Sequence, residues 1–208
     1  MKEIEIQFKS AELNLEGCIV LPHTPKECPG VVLCHPHPLY GGNMDNNVIM
    51  AVSGALAERG IAALRFNFRG VGSSEGSYGG GIGEEADALA ALSYLAGREG
   101  IDASRLGLMG YSFGGMVALS SGLQSNLVKA MAGVSPVITE GLLREGTKPT
   151  LIIYGTDDDV VIPSTILKEV NNMPPGSVEP FDGADHFWWG HEKEAAEKVA
   201  RFFAQKLF

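Results

Sequence analysis

The chain has 208 residues, of which 45% are hydrophobic and 20% charged, and a net charge of −9 at pH 7. That is enough for one well-packed domain and too little for two comfortable ones, and no apolar run approaches the length of a membrane span. The acidic balance argues against nucleic acid or an anionic membrane as partner. The three cysteines, Cys18, Cys28 and Cys34, are odd in number and lack metal-ligand spacing, which fits free thiols in a reducing, cytoplasmic setting.

Residues 1–8 alternate polar and apolar side chains, have no signal-peptide core, and predict a strand over 3–9. A turn at Ser10-Ala11 leads to a second strand over 12–21, antiparallel to the first. Pro22 to Pro29 reads as a loop. Gly30 to Cys34 is short and almost wholly apolar, as a central parallel strand covered on both faces would be. His35-Pro36-His37-Pro38-Leu39-Tyr40-Gly41-Gly42 is a stiff loop before a helix over 46–59. Ile61 to Phe68 is a strand, and a glycine-rich stretch to Gly83 precedes a helix over 84–96. That helix's first turn carries Glu84, Glu85 and Asp87, which suits a helix N-terminus.

Leu106 to Met109 is a strand-length apolar run. It is followed by Gly110-Tyr111-Ser112-Phe113-Gly114-Gly115 and a helix over 113–121. Further strands are expected at 129–134, 149–154 and 177–181, with helices over 163–171 and 191–207. Strands alternating with helices imply one domain, residues 1–208, built on a mostly parallel eight-stranded sheet with helices on both faces. The stretch 135–148 leaves room for one short helix around 137–143 and some turns, too little for a cap domain.

Gly-x-Ser-x-Gly between a strand and a helix has the context of a nucleophile elbow: the turn strains Ser112 so that its hydroxyl projects into a site. A neutral hydroxyl needs a base. Of His23, His35, His37, His186 and His191, only His186 lies in the loop after the last strand, at the sheet edge where functional loops gather, while His191 reads as the start of the final helix. An acid must hold the histidine's tautomer, and Asp157, Asp158 and Asp159, all following a strand, are equally placed by composition. An oxyanion hole would take the N–H of Phe113 and a second from the loop after strand 30–34. Pro36 and Pro38 have none to offer, which leaves His37, with Leu39 and Tyr40 as alternatives. A His35-x-His37 metal site lacks a third ligand. Tyr40, Phe187 and Trp188 are candidate substrate walls, with ordinary packing as the competing reading. Gly81-Ile82-Gly83 fits a dinucleotide fingerprint by letter only, because two glutamates at the helix start would repel a pyrophosphate.

Taken together, these segments resemble the α/β-hydrolases over essentially the whole chain. Gly110–Gly115 is similar to that family's elbow, Arg69–Gly76 to its Arg-Gly-x-Gly-x-Ser segment, and Gly183–Phe187 to its histidine loop. Gly155-x-x-Asp158 followed by Val160-Val161 resembles its acid loop, which singles out Asp158. The His-Pro-His-Pro-x-x-Gly-Gly segment looks like a small, lidless bacterial branch related to dienelactone hydrolases and carboxylesterases. Serine stands where dienelactone hydrolases have cysteine, which argues against that specific activity. The resemblance implies a serine hydrolase of small ester substrates using Ser112, His186 and Asp158, with no metal or cofactor. Thioesters, peptides or amides are alternative substrates of the same machinery. A non-catalytic binding protein of the same fold is the alternative from another class.

Overall fold

In the computed structural model, which describes residues 1–23, 27–143, 146–171, 173 and 177–208, strands and helices alternate after an initial hairpin except between the sixth and seventh strands, where no helix intervenes among the described residues. Strands β1 (Lys2–Ser10) and β2 (Leu13–Leu21) pair antiparallel around a turn at Ala11 and Glu12. Then come β3 (Cys28–Cys34), α1 (Asn47–Glu58), β4 (Ala62–Phe66), α2 (Ile82–Ala96) and β5 (Ile101–Tyr111). The chain continues through α3 (Phe113–Gln124), β6 (Val128–Val134), β7 (Thr150–Gly155), α4 (Pro163–Val170), β8 (Val178–Phe181) and α5 (Glu192–Leu207). The eight expected strands and five expected helices are present, most within a few residues of their predicted ends, whereas the described residues around 137–143 form turns and irregular chain in place of a short helix. The main exception is β5, which starts five residues before the apolar run because its first half is polar and partly exposed. Positions 24–26 of the expected Pro22–Pro29 loop and 144–145 of the 135–148 stretch lie outside the described residues.

The eight strands lie in the order β1-β2-β4-β3-β5-β6-β7-β8, and all pairs from β4 to β8 are parallel. The sequence of strands reverses direction between β3 and β5, the switch point at which doubly wound sheets open a crevice at their carboxyl ends. The strands at this centre are buried on both faces. Val31 and Leu33 of β3, with Met109 and Tyr111 of β5, face a core completed by α1 and α5. Val32, Cys34, Leu106 and Leu108 face one completed by α2, α3 and α4. This two-sided burial is why these strands read as continuous apolar runs. All three cysteines are buried and unpaired.

Two polar clasps hold the segments that flank the crevice. Asp87, fully buried on α2, accepts from the Arg69 backbone N–H at 3.0 Å and from its guanidinium Nε and Nη2 at 3.0 and 2.7 Å. Asp87 therefore works from the second turn of α2 as a clamp on the loop after β4, not as a partner of the helix terminus. Lys148 closes the far end of α3, donating to the carbonyls of Gly122 at 2.6 Å, Leu123 at 3.3 Å and Ser125 at 2.5 Å. Among the described residues of 135–149 there are only turns and extended chain, and nothing forms a cap.

Removing the Asp87 carboxylate strands a guanidinium that is only 19% exposed. Asp87→Ala is expected to cost about 3 kcal/mol, since breaking a buried pair leaves a charge uncompensated. A urea midpoint lowered by that amount at unchanged slope is the expected result; a loss within experimental error would deny the clamp.

Candidate active site

The turn from β5 to α3 sets the site. Ser112 stands at the N-cap of α3 with φ 56° and ψ −119°, a region that non-glycine residues rarely enter. Two glycines make the turn possible. A Cβ at Gly110 would lie 1.9 Å from the Gly114 carbonyl oxygen, and one at Gly114 would lie 2.2 Å from that of Cys34. The second contact brings the end of β3 against the start of α3, which places the His35–Gly42 loop beside Ser112.

Three loops deliver the polar groups. The His186 Nε2 atom is 3.1 Å from the Ser112 Oγ, and its Nδ1 is 2.8 and 3.0 Å from the two carboxylate oxygens of Asp158. An ionised carboxylate only accepts, so Nδ1 carries the proton, Nε2 is free to accept, and the serine hydroxyl donates to it. Asp158 also accepts from the backbone N–H of Val160 at 3.0 Å and of Val161 at 2.8 Å. Burial acts to raise its pKa. The hydrogen bonds from His186, Val161 and Ser135 outweigh that effect and hold the carboxyl below its usual range. Asp157 and Asp159 are exposed, and the Asp157 N–H is used to tie the acid loop to Ala184 of the histidine loop at 3.1 Å. Of the three adjacent carboxylates, the structure brings Asp158 alone to His186.

The loop after β3 folds back on itself. The His37 carbonyl accepts from Tyr40 N–H and Gly42 N–H, both at 3.1 Å. Gly41 N–H reaches Pro38 O at 3.3 Å, and Leu39 N–H reaches His37 Nδ1 at 3.2 Å. The fold-back needs glycine at 42, where a Cβ would sit 2.1 Å from the Pro36 oxygen. With Pro36 and Pro38 lacking an N–H, His37 has the one backbone donor between 36 and 42 left without an acceptor. Phe113, as the first residue of α3, has an N–H with no intrahelical acceptor. The His37 ring packs among Tyr40, Tyr78 and Phe113, with centroids 4.7 to 5.0 Å away.

A cleft of about 400 Å³ opens over these groups. It is lined by Ser112, His186, Tyr111, the loop from Pro36 to Gly42, Asn46, Val160 and Phe187. Tyr40 and Phe187 stand in its wall. Trp188 does not: its side chain is fully buried, edge-on to Phe181 at 5.1 Å, so it is a core residue and not a substrate contact. Trp189 is exposed outside the lining. Tyr111 is a cleft residue that sequence reasoning missed. Its hydroxyl donates to the His186 carbonyl at 2.5 Å, and the strand alternation that sets Met109 and Tyr111 on one face was the available signal.

The remaining candidates are structural. Both ring nitrogens of His35 are engaged inside the protein. Nδ1–H donates to the Pro36 carbonyl at 2.6 Å, and Nε2 accepts from Phe68 N–H at 3.1 Å. No group of three or more metal-ligating side chains occurs among the described residues. Glu84, wholly buried, accepts from Gly79 N–H at 2.8 Å and Gly81 N–H at 2.7 Å. The donors that a pyrophosphate would need at the start of α2 thus hold the helix's own carboxylate.

Comparison with known proteins places the chain among hydrolases of this fold. Residues 13–147 match the family model described as X-Pro dipeptidyl-peptidase (S15 family). The uncharacterized protein RP471 of Rickettsia prowazekii is 31% identical over 207 residues, covering 94% of this chain and 86% of that protein. A solved structure described as an alpha-beta serine hydrolase homologue from Coxiella burnetii superposes with a TM-score of 0.86 at 31% identity, covering 97% of each chain. Cutinase est2 of Thermobifida alba is 36% identical over 109 residues, 47% of this chain and 36% of that protein.

Burial pushes the His35 pKa down to about 4, against a smaller opposing effect of its bond to Pro36. A depressed histidine favours the neutral form in the folded state, so the unfolded chain binds more protons between about pH 6.5 and 4. His35 therefore contributes its full share of stability above pH 6.5 and loses it as pH falls towards 4. The loss should reach about 3 kcal/mol. Urea midpoints from pH 7 to pH 4 should show it, and His35→Gln should flatten the slope. An equal slope in both proteins would contradict the assignment.

Proposed function

The chain belongs to the X-Pro dipeptidyl-peptidase (S15) family of α/β-fold hydrolases, and from that premise we propose that it is a serine hydrolase of short-chain carboxylic esters. The observation that carries the reading is the continuous hydrogen-bonded series from Asp158 through His186 to Ser112 at the floor of an open cleft. In the proposed reaction the Ser112 Oγ attacks the ester carbonyl while His186 Nε2 takes its proton. Asp158 holds the imidazolium and keeps the other nitrogen protonated. The N–H groups of Phe113 and His37 would stabilise the tetrahedral oxyanion. His186 then gives its proton to the leaving alcohol, the acyl group stays on Ser112, and a water deprotonated by His186 releases the acid.

The family's description favours a second reading, cleavage of a dipeptide from a peptide N-terminus. Such an enzyme has to count two residues from a free α-ammonium, which calls for a buried carboxylate in the substrate cleft. Among the residues that line the cleft no side chain is acidic, and its exposed large side chains, Tyr40, Val160 and Phe187, are aromatic or aliphatic. That composition supports a neutral ester, with thioesters as its close chemical relatives. The similarity of part of the chain to a cutinase points the same way. With no cap over the cleft among the described residues and Tyr40 and Phe187 both exposed, few methylenes of an acyl chain would be buried, each worth roughly 0.8 kcal/mol.

A fluorophosphonate probe is expected to label the protein once, and Ser112→Ala to abolish the label; persistent labelling would place the nucleophile elsewhere. Asp158→Asn should lower kcat by roughly 10⁴ with the fold intact, as the wrong histidine tautomer does in serine proteases. Asp157→Asn and Asp159→Asn should leave kcat within a few-fold of wild type. Among p-nitrophenyl esters, kcat/KM should peak between acetyl and hexanoyl, without a jump in rate when substrate forms micelles. Faster turnover of a Gly-Pro p-nitroanilide than of any ester would favour the peptidase reading instead.

A further inference from the structure

Four non-glycine residues among those described have a positive φ: Ala11, Ser112, Ser135 and Trp188. Ala11 belongs to the β1–β2 turn. The other three sit on the loops after β5, β6 and β8, all at the edge of the sheet that carries the cleft. For a residue as bulky as tryptophan such a backbone is a true outlier, and it persists only where the surroundings over-determine it.

What holds Trp188 is visible. Its indole is fully buried against Phe181, its carbonyl accepts from His191 N–H at 2.9 Å, and its Nε1–H donates to the Ser135 Oγ at 3.1 Å. Ser135 is itself buried, with φ 39°, and is pinned to β7 because its N–H donates to the Ile153 carbonyl at 2.8 Å. Ile153 lies five residues before Asp158, and Trp188 two residues after His186. The Nε1–H to Oγ bond therefore closes a ring that runs from the end of β6 across β7 and through the acid and histidine loops. We propose that Ser135 and Trp188 form a buried latch that positions the Asp158–His186 pair for proton transfer at Ser112. Because the Ser135 oxygen accepts from the indole, its own hydrogen is free for Asp158, and Ser135 is among the groups that keep that carboxyl ionised. Neither residue lines the cleft, so both are positioning residues acting from behind the reacting groups.

The proposal rests on the hydrolase reading of Ser112, and its test separates the two. Trp188→Phe keeps an aromatic ring in the core and removes only the donor. Ser135→Gly removes the acceptor while relieving the left-handed backbone, so it is expected to fold at least as readily as Ser135→Ala. Turnover of p-nitrophenyl acetate is measured per fluorophosphonate-labelled site, which cancels any unfolded fraction. Each variant should lose roughly tenfold in kcat, the scale set by small misplacements of catalytic groups, with KM within about twofold of wild type. The double variant should lose no more than the worse single one, because the two residues share one bond. The low-field proton resonance of His186 Nδ1–H, identified by its loss in Asp158→Asn, should shift or broaden in both single variants. Unchanged kcat per labelled site with an unchanged resonance would overturn the latch, and so would losses that multiply in the double variant. If no ester is turned over at all, the hydrolase reading fails while the resonance still decides the latch.

Discussion

The backbone of Ser112 is the constraint on which the rest of the structure depends. A strand must end, reverse and become a helix within one residue, and that residue carries a side chain in a conformation L-amino acids avoid. The turn closes only because the chain around it is stripped of Cβ atoms at 110 and 114, and because β3 runs close enough for its last carbonyls to touch Gly114. Strand order then does the rest. With β3 beside β5, the loop that follows β3 falls next to the helix N-terminus, where free N–H groups already favour negative charge.

Much of this was legible in the chain. The alternation of apolar runs with helical spacing, the strand–turn–helix context of Ser112 and the order of serine, acid and histidine are local patterns, and local patterns survive in sequence. Asp158 could not be told from Asp157 and Asp159 by composition, because the choice depends on which carboxylate the backbone at 160 and 161 turns inward. Trp188 was ambiguous for a related reason. Its neighbours Phe187 and Trp189 are exposed, and only the positive φ between them turns one aromatic ring into the core and leaves the others out. Tyr111 and Asp87 were hidden because their partners, His186 and Arg69, are 75 and 18 residues away in the chain.

Three buried polar groups outside the cleft, His35, Glu84 and Asp87, fasten loops. His35 joins the end of β3 to the end of β4, Asp87 grips the loop after β4, and Glu84 satisfies the N–H groups that open α2. Each sits where a motif search would seek chemistry: a histidine of a His-x-His pair, a carboxylate behind an arginine motif, a glutamate inside a glycine-rich helix start. Each has instead its hydrogen-bonding capacity turned towards the protein, which is what makes a buried polar side chain affordable.

Among its described residues the stretch between β6 and β7 builds no cover, and the cleft is open to bulk water. In enzymes whose sites close, opening and product release often set the pace. Here no segment among the described residues covers the cleft, and the speed of the proposed reaction is left to bond making and breaking. The same openness exposes an acyl-enzyme to whatever nucleophile the solution holds. Alcohols present at high concentration would compete with water for the acyl group, and the protein would then transfer it as well as hydrolyse it.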